Sequence, residues 1–146
     1  MWELTVAAII ERNGRFLMVE EMDGSSLRVL NQPAGHVDPG EPILDAVRRE
    51  VKEETGLVFT PTSLVGIYQL QAKNGKDYCR ICFRGSVPED AVARPEDADI
   101  LACHWLTREE LAKAPLRSKL VLQCLEEALS GAAYPLTLVT EVRRER

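Results

Sequence analysis

An α/β fold, with helices flanking a central mixed β-sheet as an α/β/α sandwich, follows from three features of this 146-residue chain. Strand-like runs, two pairs of them joined by Asn-Gly, stand on both sides of one uninterrupted helical segment near residue 50. A second helical segment lies toward the C-terminus, so each face of the sheet can be covered once. The polar, Pro-bearing stretches between these runs are short enough for surface loops.

The elements follow in order. Residues 4–11 (LTVAAIIE) and 15–20 (RFLMVE) read as strands joined by Asn13-Gly14, a strong hairpin signal. Met22–Ser26 read as a loop, and Leu27–Gln32 as a short strand entering Pro33. Pro39-Gly40 makes a turn, and Pro42 occupies the first helical position, where its missing N–H has no partner to lose. Residues 42–54 contain no further Pro or Gly, and Gly56 is placed to stop the helix in the left-handed conformation. Val58–Thr60 reads as a brief strand; residues 63–73 and 76–87 read as two longer ones around Asn74-Gly75. Residues 88–99 (PEDAVARPEDAD) read as an acidic surface loop, and Ile100–Leu106 as strand. Thr107 and Glu110 form a capping box for a short helix ended by Pro115. A longer helix covers Ser118–Ser130 up to Gly131, and Tyr134–Val139 reads as a last strand.

The first helix has an unusual charge pattern. At about 100° per residue, with Glu50 at zero, Ile43, Val47 and Val51 fall at roughly 20°, 60° and 100° and define the core-facing stripe. Glu54 falls at roughly 40°, inside that stripe, and Glu53 at roughly −60°, on its edge. Three carboxylates therefore gather at the negative end of the helix dipole, and like charges there disfavour ionisation. The solvated side already holds Asp45, Arg48, Arg49 and Lys52. Hard oxygen ligands in such a cluster suit Mg²⁺ or Mn²⁺.

Composition bounds the class. Hydrophobic content of 45% with 28% charged residues is that of a soluble globular protein, and residues 1–146 are expected to form one domain. A net charge of −5 argues against nucleic acid as the main partner. No run is long and apolar enough for a membrane span, and the start lacks the basic region of a signal peptide. A cytoplasmic location is the expectation, with a monomer as the default. Cys79 and Cys82 form C-x-x-C, but Cys103 and Cys124 stand alone, so the second pair of a zinc site is absent. Buried, inert thiols are the expectation. His36 and His104 form no ligand pattern.

Residues Gly35 to Leu57, GHVDPGEPILDAVRREVKEETGL, fit the pattern G-x5-E-x7-R-E-U-x-E-E-x-G-U, where U is aliphatic. At ordinary residue frequencies such a match arises by chance roughly once in a billion starts. The chain thereby resembles a Nudix hydrolase. The resemblance implies the Nudix fold, and a metal site made by Glu50, Glu53 and Glu54 with the backbone carbonyl of Gly35. It implies a structural ion pair between Glu41 and Arg49, and attack of metal-activated water on a diphosphate linkage, with Glu53 or Glu50 placed for proton transfer. Many members add an acid from a loop outside the pattern; Asp99 is the first candidate here and Glu96 the second, among several competing acids. The stretches LNQPAGH, DADILACHW, LRS and YPL are similar to those of a bacterial phosphatase branch of the family. That branch acts on hydroxymethylpyrimidine pyrophosphate, thiamine pyrophosphate and nucleoside di- and triphosphates, releasing orthophosphate. A sanitising enzyme for oxidised nucleotides or RNA 5′ ends is the alternative, and a non-catalytic nucleotide sensor the third.

A substrate pocket is expected around one strand. Along 77–83 the side chains of Asp77, Cys79, Ile81 and Phe83 share one face, and those of Tyr78, Arg80 and Cys82 the other. Arg80 would hold a terminal phosphate with Tyr78 stacked on a ring, or else make an ion pair on a solvent-facing strand. Gln32 is the second candidate, its amide able to read a ring's polar edge.

Overall fold

The Asn-Gly hairpin and the strand before the first helix set the architecture, because both compete for one edge of the first strand. In the computed structural model, which describes residues 1–142, β1 (Trp2–Arg12) turns through Asn13 and Gly14 into β2 (Arg15–Met22). Both turn residues have positive φ, 52° and 76°, the requirement of a tight primed turn. Yet β1 and β2 pair only at Glu11↔Phe16 and Arg12↔Arg15. Further back, the same edge of β1 is taken by β4 (Ala34–His36), from Thr5↔His36 to Ala7↔Ala34. The other edge runs parallel to β6 (Asp77–Ser86), which pairs antiparallel with β5 (Thr60–Gln71). Freed from β1, β2 pairs antiparallel with β3 (Arg28–Asn31) and β7 (Ile100–Leu106). The sheet is thus mixed and opens into two arms that diverge from the hairpin.

Alternation along β1 assigns the two layers. Val6, Ala8 and Ile10 pack with Ala46, Val47 and Val51 of α1 (Ile43–Thr55). Ala7 and Ile9 pack with Leu120, Val121, Cys124 and Leu125 of α3 (Leu120–Leu129). A strand covered on both faces reads as the continuous apolar run seen here, and the expected sandwich is the structure found. Thr107 caps α2 (Arg108–Ala112) with both bonds of the capping box. No helix of the described residues is long and apolar enough to cross a membrane.

Three local expectations are corrected, and one strand was not expected. Pro42 is the cap rather than the first helical residue: its ψ is 139° and its carbonyl accepts the N–H of Ala46. Val58–Thr60 is not a separate strand; Thr60 opens β5. Tyr134–Val139 is not a strand. Tyr134 exchanges two backbone bonds with Leu64, then Pro135 lacks the N–H to continue, and Leu136–Leu138 close a 3₁₀ turn. β4 was not foreseen, since AGH carries no strand-forming pattern; its pairing with β1 creates it.

Gly56 ends α1 with φ 74°, and a Cβ there would stand 2.6 Å from the carbonyl oxygen of Arg94. Gly56→Ala is expected to lose about 1–3 kcal/mol of stability from strain and overlap together, read by urea unfolding. An unchanged midpoint would show that the loop at Arg94 yields freely.

Candidate active site

The helical stripe carries its acids where the sequence put them. Glu54 is 7% exposed, inside the core-facing side of α1, and its Oε1 accepts the backbone N–H of Ala34 at 2.9 Å. That N–H belongs to the free edge of β4, so the carboxylate takes the place of a further strand. Glu50, one turn back, has a side chain 12% exposed. Its carboxyl lies against Gly35, where a Cβ would overlap it. The glycine is therefore required by the close approach of a carboxylate, not by its backbone angles. Glu53 is 45% exposed at its side chain and faces solvent beside them.

Arg49 braces this end of the helix. Nε and Nη2 fork onto the two oxygens of Glu41 at 2.7 and 3.0 Å, the bidentate geometry that suits guanidinium and carboxylate. Nη1 reaches Glu50 at 2.9 Å and Glu53 at 3.3 Å, and Nη2 also donates to the carbonyl of His36. The hydrogen bond from Arg49 holds the Glu41 carboxyl below its ordinary range, and Glu41 in turn holds Arg49 firmly charged. The expected pair thus exists, and it ties the loop at Glu41 to both the helix and β4.

The electrostatics of the remaining acids are unfavourable. Burial pushes Glu54 up to about 9, against the Ala34 N–H, and the charges of Glu50, Glu21 and Asp97 push the same way. Glu50 is raised by burial too, with Arg49 opposing. Among the described residues no three acids, histidines or cysteines stand arranged as a ready metal site; the guanidinium of Arg49 lies between Glu50 and Glu53. The donor set nevertheless fits a hard divalent cation. Glu54 is buried with an N–H as its partner, and Glu50 is partly buried and shares Arg49 with other acids. A third carboxylate is more exposed beside them, and the missing Cβ at Gly35 leaves room for Glu50.

The acidic loop closes the site, but through a different residue from the first expectation. The N–H groups of Glu96 and Asp97 both donate to the carbonyl of Glu53, and that of Arg94 to Thr55, satisfying the last carbonyls of α1. Asp97 is thereby set where its charge acts on Glu54. Glu96 is paired with Lys52 at 2.7 Å. Asp99 is exposed, and its N–H donates to Oδ1 of Asp97. Nothing periodic marks one acid in such a loop, so only the carbonyls at the end of α1 select Asp97.

Gln32 and Arg80, named separately from the sequence, meet in the structure. Arg80 is 6% exposed and Gln32 2%; Nη1 of Arg80 donates to Oε1 of Gln32 at 2.9 Å, and Nη2 to Oδ1 of Asn31 at 3.0 Å. Gln32 Nε2 is anchored on the carbonyl of Val121 in α3. Among the described residues no carboxylate pairs with Arg80, so the surface ion-pair reading falls. Cys82 faces α3 and Ile81 faces α1, as the alternation requires. Tyr78 sits near His36, ring centroids 6.4 Å apart, with its hydroxyl accepting from Asn74. Asn31 and Glu21 were missed: Asn31 Nδ2 donates to Oε1 of Glu21 at 3.3 Å, and Glu21 lies 3.6 Å from Arg117. All four cysteines are free; Cys82 and Cys124 are buried in the α3-side core, while Cys79 and Cys103 are half-buried.

Comparison with known proteins places this geometry. The family model of the NUDIX domain matches residues 1–124. Phosphatase NudJ of Shigella boydii and that of Escherichia coli K12 are each 36% identical over 138 residues, 93% of this chain and 89% of theirs. The structure of a NUDIX hydrolase from Nitrosomonas europaea superposes with a TM-score of 0.91 at 39% identity, over 97% of this chain and 98% of the other.

A carboxyl raised from an ordinary 4.5 to about 9 on folding makes stability depend on pH. The folded state binds the Glu54 proton more tightly, so this contribution is complete below about 4.5 and is lost as pH rises through about 9. In protein freed of metal by EDTA, wild type is therefore expected to lose melting temperature relative to Glu54→Gln between pH 5 and 9. A constant difference across that range would remove the buried proton from the account.

Proposed function

The chain belongs to the Nudix hydrolase family and acts on diphosphate linkages, and we propose that it does so as a Mg²⁺-dependent phosphatase of small phosphoanhydrides. The observation that carries the metal requirement is the gathering of buried Glu54 and partly buried Glu50 at one helix end, Glu50 against Gly35, with Arg49 shared among several acids as the cation beside them. Glu50, Glu53 and Glu54, with the Gly35 carbonyl, would hold Mg²⁺ or Mn²⁺. Such an ion lowers the pKa of a coordinated water and offsets charge on the phosphoryl oxygens. The protein's own groups do the rest. Glu53, the most exposed of the three, or Glu50 beside it, accepts the proton of the attacking water. Asp97 replaces Asp99 as the loop acid facing the cluster. Arg49 keeps the loop of Glu41 in register with the helix.

The proposed substrates are nucleoside di- and triphosphates, thiamine pyrophosphate and hydroxymethylpyrimidine pyrophosphate, with orthophosphate released. Identity of 36% to a phosphatase supports that product. Arg80 would hold the terminal phosphate, with Gln32 and Tyr78 against the ring. Its guanidinium spends two nitrogens on neutral amide oxygens and keeps its charge available. We take residues 1–146 as one cytoplasmic domain acting as a monomer on small molecules; the charge of −5 supports the exclusion of nucleic acid.

Phosphate release from a panel of diphosphates is expected to vanish with EDTA and to return with Mg²⁺ or Mn²⁺. Glu53→Gln or Glu54→Gln should each lose at least about a hundredfold in rate, the scale of removing a main electrostatic catalyst, while remaining folded. Wild-type turnover in either variant would sink the metal-site assignment. Arg80→Ala should raise KM for thiamine pyrophosphate and hydroxymethylpyrimidine pyrophosphate together by about ten- to a hundredfold. An unchanged KM with both compounds would take Arg80 out of the pocket.

A further inference from the structure

Glu21 is a carboxylate that the hydrolytic machinery leaves without a task. It stands on β2, on the face opposite Met18 and Phe16, which pack in the α3-side core. Its side chain is 21% exposed. Its Oε1 accepts the amide of Asn31 at 3.3 Å, and Arg117 lies 3.6 Å from its Oε2. Asn31 cannot turn over, because Arg80 Nη2 holds its Oδ1 at 3.0 Å. The chain Gln32–Arg80–Asn31–Glu21 therefore has a fixed polarity across the opening between the two arms of the sheet. Donors lie at the Arg80 end and an acceptor carboxylate at the other.

A carboxylate at that place is a liability to a polyanionic substrate. It cannot accept a hydrogen bond from a phosphate oxygen, and its charge already works against that of Glu54. What a fixed carboxylate can accept is an N–H donor, and a charge-assisted bond of that kind discriminates strongly against a group lacking the donor. Sugar hydroxyls are common to the ribonucleotides, so the donors that distinguish one such substrate from another lie on the heterocycle, and of these an exocyclic amino group projects furthest from the ring. Resting on the proposed hydrolase function, we propose that Glu21, oriented by Asn31, determines specificity by selecting substrates whose ring bears an exocyclic amino group.

The test uses pairs of diphosphates that differ only at one amino group, ADP against purine riboside 5′-diphosphate and GDP against IDP, with the full chain and saturating Mg²⁺. The ratio of kcat/KM within each pair is read for wild type, Glu21→Ala and Glu21→Gln. Because both members of a pair are turned over by the same molecules, any loss of folded protein cancels from the ratio. Wild type is expected to favour the amino compound by about ten- to a hundredfold, the scale of one hydrogen bond to a charged group. Glu21→Ala should bring that ratio to near one, with Glu21→Gln between. A ratio that survives Glu21→Ala, or a wild type indifferent to the amino group, overturns the inference. So does a variant that loses both members of each pair together with its half-saturating Mg²⁺, which would make Glu21 a metal ligand. A wild type that releases phosphate from no diphosphate at all would instead fail the hydrolase reading beneath it.

Discussion

Everything at the site depends on keeping two carboxylates of one helix end beside the apolar core. Glu54 lies in the stripe that also carries Val47 and Val51, both fully buried. Burial opposes its charge, and Glu50 and the helix dipole oppose it further. The fold offsets this with local groups. An edge strand, β4, leaves the N–H of Ala34 unpaired on its outer side, and Glu54 takes it. A glycine follows, without the Cβ that would collide with Glu50. Arg49 then supplies charge from the solvent side and reaches back to Glu41 and His36. These partners restrain the acids without fully neutralising them, which leaves the cluster demanding a cation.

The divided edge of β1 creates the space in which such a cluster can meet a substrate. Three residues of that edge go to β4 and the last two to β2. Had β2 paired along the whole of β1, β4 would have no place and Glu54 no N–H. The arm of β2, β3 and β7 leaves the arm of β1, β4, β5 and β6, and polar side chains bridge the gap. Arg80 crosses from β6 to Asn31 at the end of β3 and to Gln32 just beyond it. Gln32 passes the connection to α3 through the carbonyl of Val121. Both amides lead directly into Pro33, Ala34 and Gly35, so the residues that hold Arg80 and those that meet Glu50 and Glu54 are one continuous piece of chain.

The long loop after β6 completes the helix it covers. Gly56 turns the chain away through a left-handed conformation, leaving carbonyls of the last turn without helical partners. The loop returns N–H groups of Arg94, Glu96 and Asp97 to Thr55 and Glu53. Satisfying backbone carbonyls thus places Asp97 where its charge acts on Glu54, as a consequence of helix termination.

The sequence alone determined the local features with their own physical signal. Asn13-Gly14 and Asn74-Gly75 predicted their hairpins, Thr107 and Glu110 their capping box, and the 3.6-residue period put Glu54 in the buried stripe. The Glu41–Arg49 pair followed from family resemblance, because its residues are fixed in the pattern. Tertiary structure decided what depends on partners distant in the chain. β4 exists only through β1; Tyr134 stops at a single bridge because Pro135 cannot donate. Asp97 was chosen over Asp99 by the carbonyl of Glu53, more than forty residues away in sequence. Arg80 was visible as a cation on an apolar strand, but its burial against Gln32 and Asn31 was not. Periodicity reports which face a side chain occupies. Only the packing of the two arms decides what stands opposite that face, because hydrogen bonds across the opening join residues that share no local pattern.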